Sequence, residues 1–191
     1  MIVLKIMVSG KEKEELLIIS RRTLEAYLTE GFVPNFDVCS GDLCRPGGAF
    51  VTLHENGNLR GCIGLFDTPL PLYVTVQKMA IAAATEDPRF SPLHPMELDG
   101  IEIEISVLSA RSPIKHFSEI MVGTHGICVS KGYARGVLLP QVAVEQRWNR
   151  EEFLSHTCLK AGLPAQAWEE GSVQIETFTA DVFREKKNEK A

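Results

Sequence analysis

The chain has 191 residues, 45% of them hydrophobic and 24% charged, with a formal net charge of -5. That length suits one globular domain, or a domain with a smaller lobe, and allows a real core; the acidic balance gives no electrostatic reason to expect a nucleic-acid backbone as the main partner. The start "MIVLKIMVSG" lacks the basic leader of a secretion signal, and no run reaches the roughly 18 apolar residues of a membrane span, so a cytoplasmic protein is expected.

"SGKE" at Ser9 to Glu12 has capping-box spacing, and Leu17, Leu24 and Leu28 then recur on one stripe, which predicts a helix stopped at Gly31. Residues 31–48 carry Pro34, Pro46 and four glycines and read as a loop. "GAFVTLHENGNLRGCIGLF" predicts a hairpin turning at Asn56-Gly57, because both residues tolerate positive φ. A two-residue turn sets Leu53 opposite Arg60 and Val51 opposite Cys62, with Arg60 and Cys62 on one face about 7 Å apart along the strand and His54 on the other. A bulge near Gly61 would break that parity.

"PLYVTVQKMAIAAATEDP" predicts a helix ended by Pro88. The strict alternation of "IEIEISV" predicts a half-buried strand with its glutamates outward. "GICVSKGYARGVLL" reads as a second hairpin, Pro140 opens a short helix reaching Trp148, and Asn149 with Glu152 begins another, stopped by Gly162 and Pro164. The last strand, near residues 172–184, slips in its alternation around Thr177 and Phe178, a sign of a bulge or a break. Helices mixed with antiparallel hairpins, without regular βαβ alternation, make the class α+β, and no internal repeat is visible.

Five cysteines, an odd number in a mid-sized chain, fit reduced thiols better than a disulfide framework. Cys39 and Cys44 form a lone C-x4-C pair, no histidines fall at i, i+4, and no P-loop or Rossmann fingerprint occurs, so neither a metal nor a nucleotide cofactor is expected. In "NLRGCIG", Cys62 is a candidate nucleophile with the Arg60 guanidinium favouring its thiolate, while Gly61 and Gly64 let a ligand or another backbone approach. A small thiol that fills core space is the competing reading, and spacing alone leaves both open. His125 and His94 are candidate bases, and Asp87 and Arg89 either bind a ligand's polar groups or tie a loop to the body.

"GAFVTL", "LRGCIG", "ATEDPRFSPL", "EIEISVLS", "GICV…LLPQVAVEQRW" and "FLSHTCLKAGL", in that order, resemble the AMMECR family, whose bacterial and archaeal members are called AmmeMemoRadiSam system protein A. The resemblance runs from about Leu16 to Phe183. It implies an α+β fold of a larger and a smaller lobe, a site between them around the LRGCIG strand, and association with Memo-type and radical-SAM proteins. By the same resemblance the site draws on Arg60, Gly61, Cys62, Gly64, Asp87, Arg89, Gln141 and Glu145, with Cys158 in the core.

Two functional classes follow. One is an enzyme, or the substrate-handling part of one, acting through Cys62 on a small or peptide-borne anionic substrate. The other is an interaction module that docks a Memo-type or radical-SAM partner. RNA binding lacks the basic-aromatic pattern it needs.

Overall fold

Ser9 accepts the Glu12 amide while the Glu12 carboxylate takes the Ser9 amide, so helix α1 (Gly10–Glu30) starts where the capping spacing puts it and ends at Gly31 with φ 74°. The computed structural model describes residues 8–38 and 41–186. The apolar start up to Met7, Cys39 of the C-x4-C pair and the last five residues of the charged tail lie outside the described residues. Two compact units result: residues 8–108 with 181–186 form the first, and residues 109–180 the second.

In the first unit, strands β1 (Ala49–Glu55) and β2 (Asn58–Leu65) form a hairpin about Asn56 and Gly57, both at positive φ. Helix α2 (Leu72–Thr85) and strand β3 (Ile101–Leu108) follow, and β8 (Ala180–Arg184) completes a sheet of order β2-β1-β3-β8. Val51, Leu53, Ile103 and Ile105 are fully buried in one core with Leu16, Leu24, Val76 and Ala80 of the helices. The opposite sheet face carries Phe50, Thr52 and His54 of β1 beside Ser106, Glu104 and Glu102 of β3.

That face corrects the outward glutamates. Glu104 is buried because Arg184, on the neighbouring strand, donates to it at 2.6 Å and to Glu102 at 3.3 Å. The alternation of the strand is right, but both of its faces are covered.

In the second unit, β5 (Gly126–Lys131) and β6 (Ala134–Leu138) form a hairpin, followed by α3 (Pro140–Glu145), α4 (Arg150–Lys160) and β7 (Gln174–Phe178). With the short β4 (Ser112–Pro113) the order is β4-β7-β5-β6. The slip foreseen near Phe178 is therefore a break: β7 ends in one sheet and β8 begins in the other.

Both sheets follow one plan, a hairpin, a helical crossing and a third strand beside the first strand of the hairpin, which the sequence did not reveal as a repeat. Gly61 pairs with Leu53 and faces the Ala83 carbonyl of α2; Gly136 pairs with Val129 and faces the Thr157 carbonyl of α4. Thr52 pairs with Glu104, which binds Arg184; Cys128 pairs with Glu176, which binds Arg111. In this correspondence the position of Cys62, opposite Thr52, is held by Val137, opposite Cys128.

Candidate functional site around Cys62

The two glycines that look misplaced in a strand each make room for protein atoms. A side chain on Gly61 would run into the Ala83 carbonyl, so the last turn of α2 lies directly on β2; one on Gly64 would run into the Phe50 ring. Because α2 comes that close, Asp87, four residues beyond Ala83, reaches the open edge of the sheet.

β2 is an edge strand, and Cys62 turns both its backbone polar groups outward. Its N–H donates to Asp87 Oδ2 at 2.8 Å, and its carbonyl accepts from Arg89 Nη2 at 3.4 Å. The Asp87 side chain is only 2% exposed and takes three further N–H donors from Arg89: the backbone amide, Nε and Nη2. The Arg89 hydrogen bond, ahead of the Cys62 and Arg89 amides, holds the Asp87 carboxyl far below the usual carboxylate range against the opposing effect of burial. The edge that an unpaired strand would expose is thus closed by one carboxylate and one guanidinium.

Arg60 extends the same closure. The register shifts between Leu53 and His54, so that Leu53 pairs with Gly61 and His54 with Leu59, and Arg60 is the extra residue of a bulge. Its Nε and Nη2 donate to the two Glu97 oxygens at 2.9 and 3.2 Å and its Nη1 to the Ser91 carbonyl at 3.0 Å. The Arg60 contact holds the Glu97 carboxyl below its ordinary value, with help from the His94 amide. The guanidinium that bonds Cys62 itself is that of Arg89.

The bulge also corrects the predicted pairing of the hairpin. Cys62 faces Thr52, not Val51, and so lies on the polar face rather than against the helices; His54, two residues along β1 from Thr52, shares that face. Outward-turned backbone groups at Cys62 mark the Thr52–Cys62 pair as the close, non-hydrogen-bonded kind, and Thr52 Oγ1 donates to the Cys62 sulfur at 3.2 Å. Thr52 was legible as a polar position alternating with Val51 and Leu53, but only the register ties it to the thiol. Cys62 is half-buried and in no disulfide. Arg89, 54% exposed, keeps Nη1 without a protein hydrogen bond among the described residues. Asp87 first, and Cys62 to a smaller extent, raise the proton affinity of Arg89.

His125, Gln141 and Glu145 belong to the second unit. Glu145 is exposed as the last residue of α3, and Gln141 Oε1 is buried with no hydrogen-bond partner. The His125 amide donates to the Met121 carbonyl, and His125 Nδ1 accepts from the Met121 amide at 3.3 Å, so this histidine closes its own loop. Burial pulls His125 below the ordinary histidine value, and a bond to the Glu119 backbone opposes part of that. A depressed value means that the unfolded chain takes the proton first, so this contribution to stability is present above about pH 6.5 and lost as the pH falls below it. Melting temperatures measured from pH 7.5 to 5 should fall less steeply in H125N than in the parent chain. Equal slopes would remove His125 from the acid response.

Cys158 is fully buried in the core of its unit, where desolvation raises its thiol above the ordinary value. Among the described residues, no cluster of three or more His, Cys, Asp or Glu side chains is placed to hold a metal ion, and no helix is long and apolar enough to cross a membrane.

Residues 17–183 match the AMMECR1 family. The chain belongs to that family. Among its relatives, a protein of Methanothermobacter thermautotrophicus is 48% identical over 72% of this chain and 75% of its own length. One from Thermofilum pendens is 42% identical over 93% and 91%. The crystal structure of the uncharacterized protein PH0010 from Pyrococcus horikoshii superposes with a TM-score of 0.88 at 39% identity, covering 94% of both chains. AMMECR1 membership thus accounts for the α+β fold, and the chemistry rests on the residues of this chain.

Proposed function

We propose that this AMMECR1-family chain is a thiol-dependent enzyme, or the substrate-handling part of one, in which Cys62 is the nucleophile or thiol carrier and Arg89 receives an anionic group of the substrate. The observation that carries the reading is the placement of Cys62: its sulfur lies on the polar sheet face, hydrogen-bonded by Thr52 Oγ1, and its carbonyl accepts from a half-exposed guanidinium with one nitrogen open. Two further facts support it. Val137 stands at the matching position of the second sheet, so a thiol is not what this sheet plan requires there. Asp87 holds Arg89 through a two-pronged contact, which keeps its remaining donor pointed for planar recognition of a carboxylate or phosphate.

Iodoacetamide labelling, followed at each cysteine as a function of pH, tests the reading. Cys62 should alkylate near neutral pH at least about tenfold faster than cysteine in a short peptide, as a thiolate favoured by a hydroxyl and a guanidinium does. A rate no higher than the peptide's would end the nucleophile assignment.

A docking role is the second reading, favoured by the exposed apolar side chains of Met121, Val122 and Val144, which Gly123 brings together by lying against Val144. In it the partner is a Memo-type or radical-SAM protein of an AmmeMemoRadiSam system, and C62S leaves the binding of that partner unchanged. Either role suits the cytoplasm, where thiols such as Cys44 and Cys62, in no disulfide here, stay reduced.

A further inference from the structure

Strand β8 and the residue after it run along helix α1 in step with it. Lys13 Nζ donates to Asp181 Oδ1 at 2.7 Å and lies over the Phe183 ring, and Arg21 donates from Nε and Nη2 to the two Glu185 oxygens. The Glu185 amide still donates to the Ile103 carbonyl, so the chain stays beside β3 one residue past β8. Four residues of extended chain, about 13 Å, thus accompany eight residues of helix, about 12 Å. Lys13, Leu17 and Arg21 form one i, i+4 row on α1. Asp181, Phe183 and Glu185 face that row, while Arg184 turns to Glu104 on the other side. The next two positions of the row are Glu25 and Thr29, and at the same pace they come opposite residues 187 and 189.

Those two positions open into a groove. Arg22, Glu25, Thr29 and Glu30 of α1, with Pro34 and Phe36 of the loop that follows, line a space of about 360 Å³. The loop wall is tied down from below, where Gln77 Nε2 of α2 donates to the Pro34 carbonyl at 2.7 Å. The described chain ends at Lys186, and residues 187–191 read Lys-Asn-Glu-Lys-Ala. Their charges mirror those of the groove: two lysines and one glutamate meet two glutamates and one arginine. Five extended residues reach about 17 Å, against about 14 Å of helix from Arg21 to Glu30. We propose that the groove is the docking site of residues 187–191, which follow the same helix row and set Lys187 on the Glu25 carboxylate and Glu189 beside Thr29. The order of charges fixes the register. The helix supplies the cation at Lys13 and Arg21 and the anion at Glu25, so a slip of two residues would set Lys187 against Arg21 and Glu185 against Glu25. The first unit is thus strapped along α1 by its own chain, whatever the chemistry of Cys62.

The test is carbodiimide coupling of the full chain, which joins a carboxylate to an amine in contact with it, followed by peptide mapping with mass spectrometry. Glu25 should couple to Lys187 within one chain, in a yield that dilution leaves unchanged. That yield should be about tenfold above coupling of Glu25 to Lys186, which alternation turns to the other side. E25K and K187E should each abolish the product, and the two together should restore it with the roles of amine and carboxylate exchanged. Melting curves show whether each variant is folded; where one is not, the parent's products decide alone. Coupling of Glu25 to Lys186 as readily as to Lys187 overturns the register and with it the proposal. A Glu25–Lys187 product formed only between two chains, and lost on dilution, overturns the assignment to the same chain and makes a second copy the source of the segment. Absence of the product in the folded parent overturns the docking altogether.

Discussion

Gly61→Ala should lower stability by about 3 kcal/mol and the melting temperature by roughly 6–12 °C for a chain of this size. The new methyl would meet the Ala83 carbonyl, and both atoms belong to backbone: one to a strand held by β1, the other to the last turn of a buried helix. Neither side can swing away as a side chain could, so β2 and α2 must part. Gly64→Ala is the informative comparison, since its obstacle is the Phe50 ring, a side chain with a rotamer to change, and its cost should be smaller, about 1 kcal/mol. Gly10→Ala meets nothing within 4 Å and should be neutral or mildly stabilising in the first turn of α1. Thermal melts of the three variants rank these obstacles; a G61A melt matching the parent's would show that α2 does not bear on the Cys62 strand in this way.

What could be read in advance was whatever the chain decides within a few residues. Ser9 with Glu12 and Asn149 with Glu152 start helices by reciprocal bonds over three residues, and Asn56-Gly57 turns the hairpin by its own backbone preference. The register of that hairpin was not legible. The extra residue at Arg60 is stabilised by Glu97 and the Ser91 carbonyl, more than thirty residues away, and without those contacts the two-residue turn would set Val51 against Cys62. One displaced residue moves the thiol from the helical core to the polar face, which decides whether it is packing or chemistry. Glu104 misled for a similar reason: alternation shows which residues share a face but not that a strand from the far end of the chain will bring Arg184 over it. The common plan of the two sheets left only scattered marks, Gly61 with Gly136 and Glu104 with Glu176, too few to register as a repeat.

Asp87 is where local and distant determinants meet, and Asp87→Ala should cost about 3 kcal/mol. The substitution leaves the Cys62 amide at an unprotected strand edge and removes the partner of the Arg89 guanidinium in the same stroke. Asp87→Asn keeps the shape and one acceptor but not the charge, and should lose about half as much. The two changes have a pH signature. The native Asp87 carboxyl is held below its ordinary value of 3.8, so its stabilisation is complete above that pH and disappears as the pH falls further. Urea unfolding at pH 7 and pH 3 should therefore show the parent well above D87N at neutrality and the gap narrowing in acid; a constant gap would mean that the carboxylate acts through shape alone. Amide exchange at Cys62 supplies an independent reading, since its N–H is protected by Asp87 rather than by a neighbouring strand. If the site works as proposed, D87N also releases Arg89 from its fixed direction, and alkylation of Cys62 should slow although no atom of the thiol or of Thr52 has been touched.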